Sequence, residues 1–280
     1  MLEALINDVQ KINSSGKRIQ VVVSDNCSVD GTYDYLSDMQ EKHNCLTIGR
    51  NISNIGFARN LFAVSKLAKS KFLYFIGDDD FLREDSLSIL LEASFMKSNL
   101  VIFDSKSSNF YDLEFGSIKK GLLIEDLTIS SYFKNLGLFK ATFIGNIMIE
   151  RDSFVSTLTS YGDFIFESAY VHMYAVFDML ANGCSKYCDY SLVKEGDDMR
   201  SWQVNQPVLT SIDLARVISI SLNKKISLWT MFRMKLYTAK SLPRALYYQR
   251  KGILSFAGVN SHNDLSIRNI YSIYFCWVLK

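Results

Sequence analysis

Apolar positions recur along the chain in two rhythms. Leu2, Leu5, Ile6, Val9 and Ile12 return every three or four residues, which predicts one face of an α-helix, and Ser14-Ser15-Gly16 supplies its stop. IQVVVSD (19–25) is β-branched and of strand length. The turn-forming NCSVDGT follows, then a helix with Tyr33, Leu36 and Met39 on its apolar face. CLTIG (45–49) reads as a strand and NISNIG as a loop. FARNLFAVSKLAK reads as a helix with Leu61, Val64 and Ala68 on one side. KFLYFIG (71–77) is a further strand, running into Asp78, Asp79 and Asp80. EDSLSILLEASFM predicts a helix and LVIFDS (100–105) another strand.

Strands alternating with helices predict an α/β fold of parallel βαβ units, a sheet covered on both faces. Ligands in such sheets sit beyond the carboxyl ends of the strands, where Asp25 and the aspartate triplet both fall. Past residue 110 the rhythm loosens into a strand-like ATFIGNIMIE, a helix from about Phe166 to Asn182, and a strand-like KYCDYSLVKEG. From 205 onward the pattern is helical. The two prolines, Pro207 and Pro243, allow a linker near 205, so the expected regions are 1–204 and 205–280.

Composition narrows the class. With 48% hydrophobic and 21% charged residues among 280, the chain can bury a large core and is not disordered. Five scattered cysteines predict thiols in a reducing compartment, and the C-x3-C pair Cys184 and Cys188 lies far from any histidine, so a structural zinc site is not expected. The opening residues lack a secretory pattern and no run of about 18 uncharged apolar residues occurs, so the expected location is cytoplasmic.

Charge is unevenly shared. Residues 1–204 hold 20 basic and 27 acidic side chains, residues 205–280 hold 11 and 2, so a −7 region precedes a +9 region. A basic, aromatic tail suits an anionic membrane or a nucleic acid. The membrane is the preferred partner and nucleic acid is not expected, because Trp229, Phe232, Leu236, Tyr237, Leu242, Leu246 and Tyr247 can form an apolar face beside the cations. That implies peripheral attachment on the inner face of the plasma membrane. Core helices with a solvated basic rim are the equal alternative.

Three adjacent carboxylates after an apolar strand raise one another's pKa unless something compensates them. A hard divalent cation, Mg2+ or Mn2+, is the natural compensator, held by one or two carboxylates together with substrate phosphates. A solvated acidic turn ahead of the Leu87 helix is the other reading.

Three stretches together, VVVSDNCSVDGT (21–32), NISNIGFARN (51–60) and SKFLYFIGDDDFL (70–82), resemble the nucleotide-binding half of the family 2 glycosyltransferases with the GT-A fold. Within that family they are most similar to bacterial surface-polysaccharide transferases of the abequosyltransferase type. The resemblance covers roughly 1–200 and leaves the tail outside. It implies a nucleotide-sugar donor, a saccharide or lipid-linked acceptor, and an inverting transfer. It further implies that Asp25 reads the nucleobase, that Arg59 lies by the nucleotide or its diphosphate, that Asp79 sits near the donor ribose, and that Asp80 ligates the metal with Asp78 in support. Local readings stand beside these: Asp25 as a turn cap, Arg59 as a surface arginine, Asn60 as a residue that only holds a loop.

Two departures from the family pattern matter. Where the family carries Glu-Asp ahead of a helix-ending glycine, counting back from Gly183 gives Val171 and His172. His172 is therefore the expected catalytic base, with Glu167 its rival, Asp178 a weaker one, and a core histidine the bland alternative. The family also begins with a central strand, whereas this sequence opens in the helix that should follow it. IQVVVSD and KFLYFIG thus each expect a neighbour between them, and an upstream strand is expected. A catalytically inactive remnant that binds nucleotide or a partner is the alternative function, and a nucleotidyltransferase is disfavoured for want of a glycine-rich phosphate loop.

Overall fold

The computed structural model describes residues 2–16, 18–78, 80–104, 124–194, 205–222, 225–251, 270, 273 and 274. The elements run α1 (Leu2–Asn13), β1 (Val21–Asp25), α2 (Thr32–Lys42), β2 (Leu46–Arg50), α3 (Phe57–Leu67), β3 (Phe72–Tyr74), β4 (Phe81–Leu82), α4 (Ser86–Ser94) and β5 (Leu100–Phe103). They continue with β6 (Ile124–Leu127), α5 (Ile129–Ser131), β7 (Ile147–Glu150), α6 (Arg151–Tyr161), α7 (Val171–Asn182), β8 (Ser185–Cys188) and β9 (Val193–Lys194). The last are α8 (Gln206–Val208), α9 (Leu214–Ser221), α10 (Leu228–Ala239) and α11 (Leu242–Arg250).

The chain divides into two compact units. One comprises Met1–Asp126, Phe143–Ser156 and Ser185–Gly196, and the other Leu127–Thr142, Thr157–Cys184 and Asp197–Lys280. The second unit takes two segments from before residue 204 as well as the C-terminal part, and within it α7 packs on α9.

The first unit holds the sheets. β1 pairs with β2 in parallel, β4 pairs with β9 antiparallel, and five strands form the order β3-β7-β5-β8-β6. β7 is antiparallel to both neighbours, β3 and β5, whereas β5 and β8 are parallel, so the sheet is mixed rather than wholly parallel as predicted. Hydrophobic periodicity encodes burial but not strand direction. β3 is also shorter than predicted. Its partner β7 begins at Ile147, and the 3-10 turn at Ile144–Asn146 leaves residues 76 and 77 no ladder to join.

β1 and β3 do not pair with each other, and among the described residues β1 pairs only with β2 and β3 only with β7. Gln20 at the foot of β1 does accept the Lys69 N–H through Oε1 at 3.2 Å. α1 buries Ile6 and Val9 against Val21, Met39, Leu46 and Leu87, each side chain worth about 2 kcal/mol of apolar transfer. The other side of α4 sends Ile89 and Ala93 against Val101, Phe103 and Met148.

In the second unit α7 is buried at nearly every position, from Val171 through Phe177 and again at Met179 and Leu180. A helix apolar all round must lie inside. Gly183, at φ 76°, closes it in the left-handed conformation that glycine adopts without strain. The predicted helix start near Phe166 fails: Asp163–Glu167 is a 3-10 turn and Ser168 is extended. Further along, Val208, Ile212, Ala215 and Ala245 form a core with Tyr274, so part of the basic tail is ordinary helical core.

Candidate active site

Asp25 closes β1 and is buried, 4% exposed. Its Oδ1 and Oδ2 accept the Ser28 N–H at 3.1 and 3.3 Å, and Oδ2 lies 3.2 Å from Nε of Arg50, the residue opposite it in β2. The Arg50 guanidinium donates to the Ser28 carbonyl and stacks 4.4 Å over Tyr33. The turn-capping reading of Asp25 is thus present as geometry.

Asparagines hold the loop beyond these strands. Asn60 Oδ1 accepts from Ser24 Oγ at 2.7 Å and from Asn51 Nδ2 at 2.8 Å. Asn26 Oδ1 accepts from Asn51 Nδ2 and the Ile55 N–H, both at 3.0 Å. Asn54 Oδ1 accepts from Asn26 Nδ2 at 2.9 Å. The loop-holding reading of Asn60 describes what it does here. The network ties the start of α3, and with it the exposed Arg59, to the carboxyl end of β1.

After β3 the chain turns at the triplet. Asp78 is exposed, Asp80 is 3% exposed, and Asp79 lies outside the described residues. The Asp80 N–H returns to the Gly77 carbonyl at 3.3 Å. Beyond it, Arg83 N–H and Ser86 Oγ both donate to the Leu192 carbonyl, pinning the segment beside β4 and β9. Burial, with the Asp80 charge adding to it, pushes the Tyr74 phenol far up. No group of three or more His, Cys, Asp or Glu gathers among the described residues. Two described carboxylates on one turn nonetheless fit a hard cation of the Mg2+ or Mn2+ kind, which takes few protein oxygens and completes its shell with phosphates and water.

The base candidates lie in the second unit, and the structure separates them by environment. His172 is 2% exposed; its Nε2 lies 3.2 Å from the Ala141 carbonyl, so it carries the proton, and Nδ1 is buried with no hydrogen-bond partner. Burial lowers its pKa to about 4. The geometry is that of the core-histidine alternative: α7 is buried at every position from Val171 through Phe177, which encloses the imidazole. Glu167 is exposed on its 3-10 turn. Asp178 pairs with Lys225.

Glu167 lines a cavity of about 240 Å³ with Phe164, Ser168, Tyr174, Asp213 and Arg216. Asp213 was not singled out in the sequence. It is 1% exposed, and Oδ2 accepts Ser168 Oγ at 3.0 Å and the Ala169 N–H at 2.9 Å. Burial raises its pKa to about 6 against those hydrogen bonds.

His172 and Asp213 therefore oppose each other in acid. The His172 contribution is whole above pH 6.5 and lost as pH falls through 4; the Asp213 contribution is whole below pH 3.8 and lost as pH rises through 6. Each is worth about 3 kcal/mol. The expected result from urea unfolding is a small net slope from this pair in the parent. Asp213→Asn should lose stability as pH falls from 6.5, and His172→Gln should gain relative stability over the same range. Parallel slopes in all three proteins would refute the opposed pair.

Residues 1–123 match the family model described as Glycosyl transferase family 2, and the fold is that of GT-A glycosyltransferases. Among curated proteins, the Abequosyltransferase RfbV of Salmonella typhimurium is 26% identical over 175 residues, 61% of this chain and 53% of the relative. The chain thus spans about half the length of the curated relative it matches. The crystal structure of S. aureus TarS 1-349, also solved in complex with UDP-GlcNAc, is 16% identical with a TM-score of 0.55, covering 98% of this chain and 78% of that one. The mannosyltransferase PcManGT of Pyrobaculum calidifontis, in complex with GDP-Man and Mn2+, is 14% identical with a TM-score of 0.53, covering 90% and 74%.

Proposed function

We propose that the chain is an inverting, metal-dependent glycosyltransferase that moves a sugar from a nucleotide-sugar donor to a saccharide or lipid-linked acceptor in surface-polysaccharide synthesis. The observation that carries the reading is the acidic turn after β3, inside the segment that matches the family. The donor complexes of TarS and PcManGT support a nucleotide-sugar, and the Mn2+ of PcManGT supports a divalent ion.

In this reading Asp80, assisted by Asp78, holds Mg2+ or Mn2+, while Asp79 meets the donor ribose. Asp25 accepts a hydrogen bond from the nucleobase in place of one of its present partners, and Arg59 neutralises diphosphate charge. A cation held by Asp80 and Asp78 would supply positive charge against the negative charge of the departing nucleoside diphosphate. Glu167 takes the proton of the acceptor hydroxyl as its oxygen bonds to the anomeric carbon. Attack from the face opposite the leaving group inverts that carbon. NMR of the product should show the anomeric configuration opposite to the donor's; retention would overturn the inverting assignment.

A non-catalytic remnant that binds nucleotide is the second reading. The separate sheets of β1 and β3 favour it.

Attachment to an anionic membrane belongs to the same proposal. On α10 the side chains of Trp229, Arg233, Leu236 and Tyr237 are exposed along one face, with the exposed Lys240 at its C-cap, while Met231 and Met234 are buried. Leu242 and Leu246, expected on that apolar face, pack instead around Ala245. No described helix is long and apolar enough to cross a membrane. The intact protein should bind anionic vesicles and be released as salt shortens the screening length below the about 8 Å of physiological ionic strength. Trp229→Ser with Leu236→Ser should weaken this binding; vesicle binding that ignores both salt and these substitutions would count against it.

A further inference from the structure

The cavity beside Glu167 has its own chemistry. At about 240 Å³ it lies below the roughly 300–1,000 Å³ of sites that enclose a drug-sized ligand, so it suits one sugar ring rather than a nucleotide. A pyranose offers an apolar C–H face and a rim of hydroxyls. Phe164 presents a half-exposed ring, and Tyr174 is tilted against Tyr161 at a centroid distance of 5.0 Å. Glu167 supplies acceptor oxygens and Arg216 a planar fork of donors on the wall.

Asp213 reaches this cavity from the turn Leu209–Asp213 that leads into α9. It accepts hydrogen bonds from Ser168 Oγ and the Ala169 N–H, and Ser168 Oγ in turn accepts the Tyr170 N–H at 3.0 Å. Residues 168–170 are the link between the 3-10 turn bearing Glu167 and α7. Cutting these bonds frees the link.

We propose that the cavity takes one sugar of the acceptor and that Asp213 is a positioning residue, fixing the link at 168–170 and through it Glu167 on the cavity wall. The proposal rests on the reading of Glu167 as the base. The charged and titratable groups facing Asp213 are Arg216, Tyr170 and Tyr174, with Glu167 on the same wall. Burial pushes Tyr170 to about 12 and Tyr174 higher, so neither tyrosine titrates near pH 6.

Saturation-transfer NMR with a panel of methyl hexosides at millimolar concentration tests it on the full chain. At least one hexoside should bind the parent, and Phe164→Ala should raise its Kd on the order of tenfold. Binding to the parent should weaken as pH falls below 6, and Asp213→Asn should bind less tightly without that inflection. If Asp213→Asn does not fold, Ser168→Ala carries the test, with a Kd raised severalfold. Nucleoside diphosphate binding, a property assigned to the first unit, should be unchanged in every folded variant. Absence of hexoside binding, or equal hexoside binding with the same pH profile in all variants, overturns the cavity proposal. Failure of the parent to bind nucleotide while hexoside binding behaves as stated overturns the donor reading instead.

Discussion

Asp80→Asn should abolish Mn2+-dependent binding of nucleoside diphosphate. Losing an outer partner of a metal ligand typically costs about 10–100-fold in affinity, so loss of the ligand itself should cost on the order of a hundredfold or more. The fold should survive. Asp80 sits on a turn whose backbone bond, N–H to the Gly77 carbonyl, is untouched by the substitution. Asp78→Asn should have the smaller effect, since Asp78 is exposed to solvent. Titration calorimetry with and without Mn2+ measures both; equal affinity for Asp80→Asn and the parent in Mn2+ means that Asp80 holds no metal.

Glu167→Gln should lower the rate of sugar transfer by about 10²–10⁴-fold, the usual contribution of a general base, with donor binding unchanged. His172→Gln should transfer at a rate near the parent's. The enclosed imidazole has its one donor on the Ala141 carbonyl and no opening toward an acceptor hydroxyl. A crippled His172→Gln beside a normal Glu167→Gln, both folded by circular dichroism, would reverse the assignment.

The strand cores and the acidic turn were legible because β-branched runs and three adjacent carboxylates are local signals. Strand ends were less so. KFLYFIG has the apolar pattern of a seven-residue strand, but the ladder ends at Tyr74, and two positions further along the partner strand's chain is a 3-10 turn at Ile144–Asn146. The antiparallel course of β7 has no local signature at all.

In the site, counting from Gly183 located His172 but not its environment. The flanking SAYVHMYAVFDML is apolar around most of its circumference, Asp178 excepted, and that was the available sign of burial. Asp213 lay in the tail that the family resemblance did not reach. Its signal was its rarity, since residues 205–280 hold only two acidic side chains and this one stands in the apolar SIDLARV. A carboxylate in such a setting requires hydrogen-bond donors, here Ser168 and Ala169. The linkage of Asn26, Asn51, Asn54 and Asn60 was visible only as turn-forming residues, because hydrogen bonds across 36 positions, as between Ser24 and Asn60, leave no periodic trace.

The central claim, a nucleotide-sugar transferase, is tested most directly by incubating the chain with a panel of nucleotide-sugars in Mn2+ and following release of the nucleoside diphosphate. Release is expected from at least one donor, abolished by chelation with EDTA and by Asp80→Asn. A folded protein that neither binds nor turns over any donor of the panel, in Mn2+ or Mg2+, would contradict it.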